Sequence, residues 1–340
     1  MRIGVLTGGG DCPGLNQAIR AIVLKAIDYG FEVIGIKDGW AGLINGEGSP
    51  LDLKTVDEIV SSGGTILGTS RTNPYKKEGG VEKVKENIKK LSLDVIVAIG
   101  GEDTLGVANK LAKEGIKVVG VPKTMDNDLS ATDYTFGFDT SVTLAMEALE
   151  RLRDTGKSHH RIMVLEVMGR HAGWVALFTG IAGGADWILI PEKEPEIDRM
   201  CEHLKKVWER KKYALVVVSE GVELAQFKDV KEEKDAFGHM ILKKRGVGDI
   251  ISDEIEKKTG IETRSAVIGH MQRGGAPTLF DRMLSLRVGV KAVEMIKEGK
   301  FGMMACLKGN RIESVPLEEA VAKLKTVDEE WWNLAKVFFK

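Results

Sequence analysis

Short apolar runs of strand length alternate along this chain with stretches of helical periodicity, and glycines stand where several of those runs end. Residues 2–7 (RIGVLT), 31–36, 93–99 (LDVIVAI) and 116–121 (IKVVGV) read as strands, and 16–29 and 105–114 carry helical patterns. Apolar runs with little polar alternation belong to strands covered on both faces, and parallel strands joined by helices are the usual arrangement that covers them. A second alternating series follows Phe138, with strands at 161–167 and 213–219 and helices beginning at Ser141, Val175 and Glu196. The pattern predicts an α/β chain of two lobes facing each other across a cleft. In such sheets ligands gather at the carboxyl ends of the strands. The stretch 228–245 is highly charged and weakly periodic, and reads as a solvated excursion whose Lys243-Lys244-Arg245 run lies on the surface.

Size and charge narrow the classes. At 340 residues the chain exceeds what one hydrophobic core usually organises. Forty residues are Gly and only eight are Pro, with no collagen period and no Gly/Ser linker, so the glycine excess is neither fibrous nor disordered. A net charge of −1 argues against a nucleic-acid partner. No apolar run approaches membrane-spanning length, and a strand beginning at Arg2 leaves no room for a signal peptide. Cys12, Cys201 and Cys306 are far apart and lack CxxC spacing, which fits reduced thiols and a cytoplasmic protein.

Three loops can carry chemistry. The first, TGGGDCPGLNQAIR (7–20), follows a strand and precedes a helix, where glycines let backbone N–H groups approach an anion. It lacks the Gly-Lys-Ser/Thr of a Walker A loop. It also misses GxGxxG, since Pro13 stands where the third glycine belongs and Gly14 comes one residue late. A tight strand-to-helix turn is the plain alternative. In the second, IGGEDTLG (99–106), Glu102 and Asp103 open a helix, as capping carboxylates do, or form a hard-cation site beside a phosphate. In the third, VPKTMDNDL (121–129), Lys123 and Thr124 can meet an anion, and Asp126 and Asp128 share a side if the chain is extended. One acid would then serve as general base and its neighbour hold a metal, unless the segment is only an Asp/Asn turn.

Together with GTSR (68–71), RIMVLEVMGRHAGW (161–174), SEG (219–221) and ETRSAVIGHMQRGG (262–275), these segments resemble the 6-phosphofructokinases. The matches run in family order from residue 3 to about 285, and the remainder to 340 is compatible. They resemble in particular the mixed-substrate branch that includes pyrophosphate-dependent enzymes. The resemblance implies two Rossmann-like doubly wound lobes of the phosphofructokinase type with the active site between them. Residues 1–137 plus 272–322 would form the larger lobe, binding pyrophosphate and Mg²⁺. Residues 138–271 plus 323–340 would form the smaller, fructose 6-phosphate-binding lobe.

The resemblance also implies roles. Asp126 would take the proton from the sugar 1-hydroxyl, near an ordinary Asp pKa of about 3.9. Thr124 would contact the reacting groups, and Asp128 would orient the base or the metal. Glu102 corresponds to the family's Mg²⁺-associated acid, which is usually Asp. Gly9, Gly10, Arg71 and Thr104 would line the donor, and Arg170 would neutralise the moving phosphoryl group. Arg161, Arg264, His270 and Arg273 would grip the sugar 6-phosphate, because guanidinium forks donate paired hydrogen bonds to phosphate. Met168 and Gly169 would form the adjoining wall, and Glu220 would meet sugar hydroxyls. In the family Arg161 and Arg264 reach into a neighbouring subunit's site, which implies a homo-oligomer.

Asp103 and Lys123 bear on the donor. ATP-using relatives commonly have Gly where Asp103 stands, and many have Gly at Lys123. By the resemblance the side chain at 103 projects towards where the α-phosphate of ATP would lie, and a carboxylate ~4 Å from that phosphate costs about 4 kcal/mol at an effective dielectric near 20. That is roughly a thousandfold in affinity. Pyrophosphate is the donor this implies, with ATP as the alternative. Met125 stands where Ile is usual, a mild change. Leu24, four residues after Arg20, lacks the second basic residue of allosteric bacterial members, so the usual effector control is expected to be absent. A dinucleotide-dependent oxidoreductase has only Glu32 in its favour, and a non-catalytic sugar-phosphate binder would not need Asp126, Glu102 and the donor loop. His159-His160 read as ordinary polar positions on a strand and Trp331-Trp332 as packing against the second lobe.

Overall fold

The computed structural model describes residues 1–224, 237 and 246–340, so the reading of 228–245 falls, apart from Phe237, outside the described residues, as does that of Lys243-Lys244-Arg245. In chain order the first lobe runs β1 (Arg2–Thr7), α1 (Leu15–Asp28), β2 (Glu32–Ile36), α2 (Trp40–Asn45), β3 (Gly48–Leu51), α3 (Leu53–Val56), α4 (Gly80–Lys90), β4 (Val95–Gly100), α5 (Glu102–Lys113) and β5 (Val118–Pro122). The second runs α6 (Phe138–His159), β6 (Ile162–Val167), α7 (Trp174–Gly183), β7 (Trp187–Leu189), α8 (Ile197–Lys211), β8 (Ala214–Ser219), α9 (Val247–Thr259) and β9 (Thr263–Val267). The chain then returns to the first sheet with α10 (Leu279–Lys297), β10 (Met303–Lys308), β11 (Arg311–Pro316) and α11 (Leu317–Ala320). It closes on α12 (Glu329–Val337), whose Trp331 meets the ring of Phe178 on α7 at 4.8 Å. That is the packing expected of the tryptophan pair.

The seven-stranded sheet has the order β11-β10-β5-β4-β1-β2-β3 and the four-stranded sheet β7-β8-β6-β9. Every pairing in the smaller sheet is parallel. The larger one is parallel except at its edges, where β3 and β11 pair antiparallel. Those edges were not legible because each has an open side: β11 alternates between exposed and half-buried, and β3 carries Pro50, which an edge strand tolerates. The central strands show why helices must lie on both faces. Along β4, Val95, Val97 and Ile99 enter the cluster that includes Ile19 and Val288, while Ile96 and Ala98 enter the one with Leu105 and Leu111. The second lobe repeats this along β8, with Leu215 and Val217 on one side and Val216 and Val218 on the other.

A buried polar joint links α6 to α10. Asp281 accepts from the Thr140 backbone N–H at 2.8 Å and from Thr140 Oγ1 at 2.6 Å, and Thr278 Oγ1 donates to Asp139 at 2.5 Å. His159 and His160 are not on a strand. They end α6, with His160 in the left-handed region at φ 56° and its carbonyl accepting from Trp208 Nε1. The polar reading stands on that different geometry. Leu24 is partly buried against the core.

Candidate active site

The carboxyl ends of β1, β4 and β5 face those of β6 and β8 across a cavity of about 330 Å³. Gly9, Gly10, Arg71, Glu102, Asp103, Thr104, Lys123, Thr124, Asp126, Asp128, Met168, Arg170, Glu220, His270 and Arg273 all line it. Sixteen of the eighteen residues expected at the site therefore meet at this cavity or in its wall, Gly169 lying between Met168 and Arg170.

On the first lobe, two glycine turns are shaped by one side chain. Thr104, in the first turn of α5, is buried beneath them. A Cβ at Gly100 would lie 2.3 Å from Thr104 Cβ, and one at Gly8 2.5 Å from Thr104 Oγ1, so neither turn has room for a side chain. Glu102 and Asp103 occupy the first turn of the same helix, where the positive end of the dipole favours carboxylates. Lys123, at the end of β5, is almost wholly buried, and its ammonium donates to Gly10 O at 2.5 Å. Burial lowers its pKa, and the carboxylates of Asp11 and Asp128 act against that.

The Asp126–Asp128 segment is not extended. Asn127 has φ 51°, in the left-handed region, and it is this turn that brings both carboxylates to the cavity wall. Asp126 N–H donates to Thr124 Oγ1 at 3.1 Å, and the Thr124 hydroxyl also bonds the Asp128 carboxylate. Asp126 Oδ1 is buried without a partner. Burial and then the Asp128 carboxylate push the Asp126 pKa up to about 6, against the pull of Arg273, Arg170 and Lys123. The ordinary value expected from sequence is thus corrected: residue type sets 3.9 only in water. Asp128 is raised as well, by burial first and also by Glu102, and Glu220 by burial and then by Asp126.

On the second lobe, Met168 N–H donates to Gln272 Oε1 at 2.8 Å, and Gly169 passes through φ 139° with its N–H on the Glu220 carboxylate. Arg273 sits between the two expected ligand regions. Its guanidinium donates to Asp11 O at 3.0 Å, and a Cβ at Gly10 would stand 2.4 Å from its Nη1. Arg161 and Arg264 do not line the cavity of their own chain. Both pair with Glu262, at 2.8 and 2.5 Å. Sequence reasoning passed over Gln272, His171 and Leu324. Gln272 is fully buried, its amide donating to Ser141 Oγ at 2.9 Å, and it tied no chemistry to its motif. His171 lines the cavity from within a quoted motif, whereas Leu324 reaches it from a segment with no signal.

The donor set suits a small hard cation. Glu102 and Asp128 lie close enough for one charge to raise the other's pKa, and a divalent ion would relieve that repulsion. Among the described residues no group of three His, Cys, Asp or Glu side chains is gathered as a metal cluster. Among the described residues no helix is long and apolar enough to cross a membrane.

The phosphofructokinase family profile matches residues 2–296. A pyrophosphate–fructose 6-phosphate 1-phosphotransferase of Dictyoglomus thermophilum is 53% identical over 343 residues, covering 100% of this chain and 99% of that one. The protein of the same name from Amycolatopsis methanolica is 54% identical over 342 residues, covering both chains fully. An ATP-dependent 6-phosphofructokinase 3 of Streptomyces coelicolor is 48% identical over 336 residues, 97% of each chain. Among solved structures, a phosphofructokinase from Pichia pastoris superposes with a TM-score of 0.84 at 30% identity, covering 99% of this chain and 36% of that longer one. The chain belongs to the phosphofructokinase family.

Proposed function

We propose that this protein catalyses the reversible transfer of a phosphoryl group from pyrophosphate to the 1-hydroxyl of fructose 6-phosphate, yielding fructose 1,6-bisphosphate and phosphate. The observation that carries this reading is the buried Asp126 carboxylate, flanked by Asp103 and Lys123 toward the first lobe and by Arg170 and Glu220 toward the second. Asp126, ionised above about pH 6, accepts the hydroxyl proton as the sugar oxygen forms its bond to the terminal phosphorus. The bond from that phosphorus to the bridging oxygen breaks, and orthophosphate leaves. Thr124 holds the base loop through the Asp126 N–H and the Asp128 carboxylate, and Arg170 balances charge on the phosphoryl group in transit. Such transfer is mostly placement and electrostatic stabilisation.

Glu102 and Asp128 are the residues that would hold Mg²⁺, which when bound supplies positive charge to the donor oxygens. Gly9, Gly10, Arg71, Asp103, Thr104 and Lys123 form the donor end. Met168, Gly169, Arg170, Glu220, His270 and Arg273 form the acceptor end together with Thr124 and Asp126. We assign the larger, donor-binding lobe to 1–137 plus 272–322 and the smaller, acceptor-binding lobe to 138–271 plus 323–340, with Thr124, Asp126 and Arg273 meeting the acceptor from the larger one. Arg161 and Arg264, turned away from their own cavity, are assigned to a neighbouring subunit's sugar phosphate. Three buried free cysteines support a cytoplasmic setting.

A coupled assay with fructose 6-phosphate, Mg²⁺ and either donor tests the reading. Wild type should turn over with pyrophosphate and barely with ATP, and Asp103→Gly should raise ATP use, up to roughly a thousandfold if the full carboxylate penalty is relieved. Equal use of both donors by wild type would move the assignment to ATP. No turnover with either would favour a sugar-phosphate binder.

A further inference from the structure

The loop that carries Asp126 is anchored in the core at Met125 and Leu129, but between them the far side of Asn127 faces a second cavity of about 390 Å³. Thr135 N–H donates to Asn127 Oδ1 at 3.1 Å from within the loop, and a segment from the far end of the chain backs the same stretch. Ser130 Oγ donates to Lys323 O, Leu129 and Leu324 form an antiparallel bridge, and Lys325 N–H donates to Asp128 O at 2.8 Å. The Lys325 ammonium then donates to Asn127 Oδ1 at 3.1 Å, Thr132 O at 3.0 Å and Asp133 O at 2.7 Å, which uses all three of its protons. Asn127 is the residue whose φ of 51° turns both catalytic-loop carboxylates into the cleft.

The same residue reaches the other lobe. Lys325 O accepts from Trp174 Nε1 at 2.8 Å, and Trp174 is the first residue of α7, four positions after Arg170. Two residues on, Val327 N–H donates to Glu192 Oε1 at 2.9 Å, and that carboxylate oxygen also accepts from Gly173 N–H at 2.9 Å.

We propose that the Lys325 ammonium is a positioning group for the transfer, holding the Asp126 loop at Asn127 while the Lys325 backbone, through Trp174, sets that loop against the Arg170 turn of the other lobe, so that base and charge-neutralising arginine keep their spacing. This rests on the roles given above to Asp126 and Arg170. Removing the ammonium leaves Asn127 Oδ1 with Thr135 alone and strips a donor from two carbonyls beside a cavity. A displacement near 1 Å at a reacting group costs about a hundredfold in rate.

The test compares wild type with Lys325→Met, Lys325→Arg and Asp126→Asn, using pyrophosphate, fructose 6-phosphate and Mg²⁺. Lys325→Met should lower kcat by about a hundredfold with both KM values little changed. Amide hydrogen exchange across residues 124–135 should quicken, and Lys325→Arg should restore most of both. A residue serving stability alone would lower the melting temperature and leave kcat of the folded enzyme intact. If Lys325→Met cannot be obtained folded, Lys325→Gln carries the same measurements. Wild-type kcat and exchange in the neutral variant, with Asp126→Asn inactive, would overturn the proposal. If Asp126→Asn kept turnover, the base reading would fall instead. The tie would then stand or fall on the joint loss of kcat and amide protection.

Discussion

At the scale of single residues, the protonation of Asp126 is decided by what surrounds it. Its carboxyl is buried next to Asp128 and pushed up to about 6, so the ionised form a base requires is complete only above that pH and is lost as pH falls through it. We expect kcat/KM to decline below about pH 6, with the step moving to lower pH in Asp128→Asn, because that change removes the second cause of the shift. A step that did not move would separate the decline from this pair. Asp126→Asn should cost about 10²–10⁴ in kcat, the usual range for a lost general base. None of this was readable from the DND triplet, since burial depends on walls contributed by residues far away in sequence.

At the scale of elements, α5 and the two glycine turns above it form one unit. Gly100 ends β4 with Thr104 directly beneath, and the space for a methyl group is already filled. Gly100→Ala should therefore destabilise the fold by about 1–3 kcal/mol, as overpacking does, and shift the denaturation midpoint without changing the slope. An unchanged midpoint would show that Thr104 can yield. The central strands and their helices were legible because runs such as VIVAIG leave no polar side to expose. Periodicity alone starts α5 at Leu105, because its first turn holds polar residues that the pattern counts as loop, whereas the two carboxylates at its opening mark the observed start at Glu102. The antiparallel edges β3 and β11 were missed for the related reason that an edge strand buries little.

For the whole molecule, the position of Arg161 and Arg264 away from their own cavity calls for a test on assemblies. Asp126→Asn and Arg264→Ala should each be nearly inactive alone. Unfolded together and refolded as a mixture, they should regain part of the wild-type activity, because some sites would then combine an intact base from one subunit with an intact arginine from another. A mixture as inactive as its components would place both residues at one subunit's site.

The order of the motifs and the buried strands identified the family and named nearly every residue of the cavity, because backbone turns and phosphate contacts demand particular residue types at particular spacings. What tertiary structure alone decided was which groups share a wall. It set the raised pKa of Asp126, drew Arg273 against Gly10, and brought Lys325 behind the base loop from almost 200 residues away. Electrostatics and packing act through space, and spacing along the chain carries no record of who the neighbours will be.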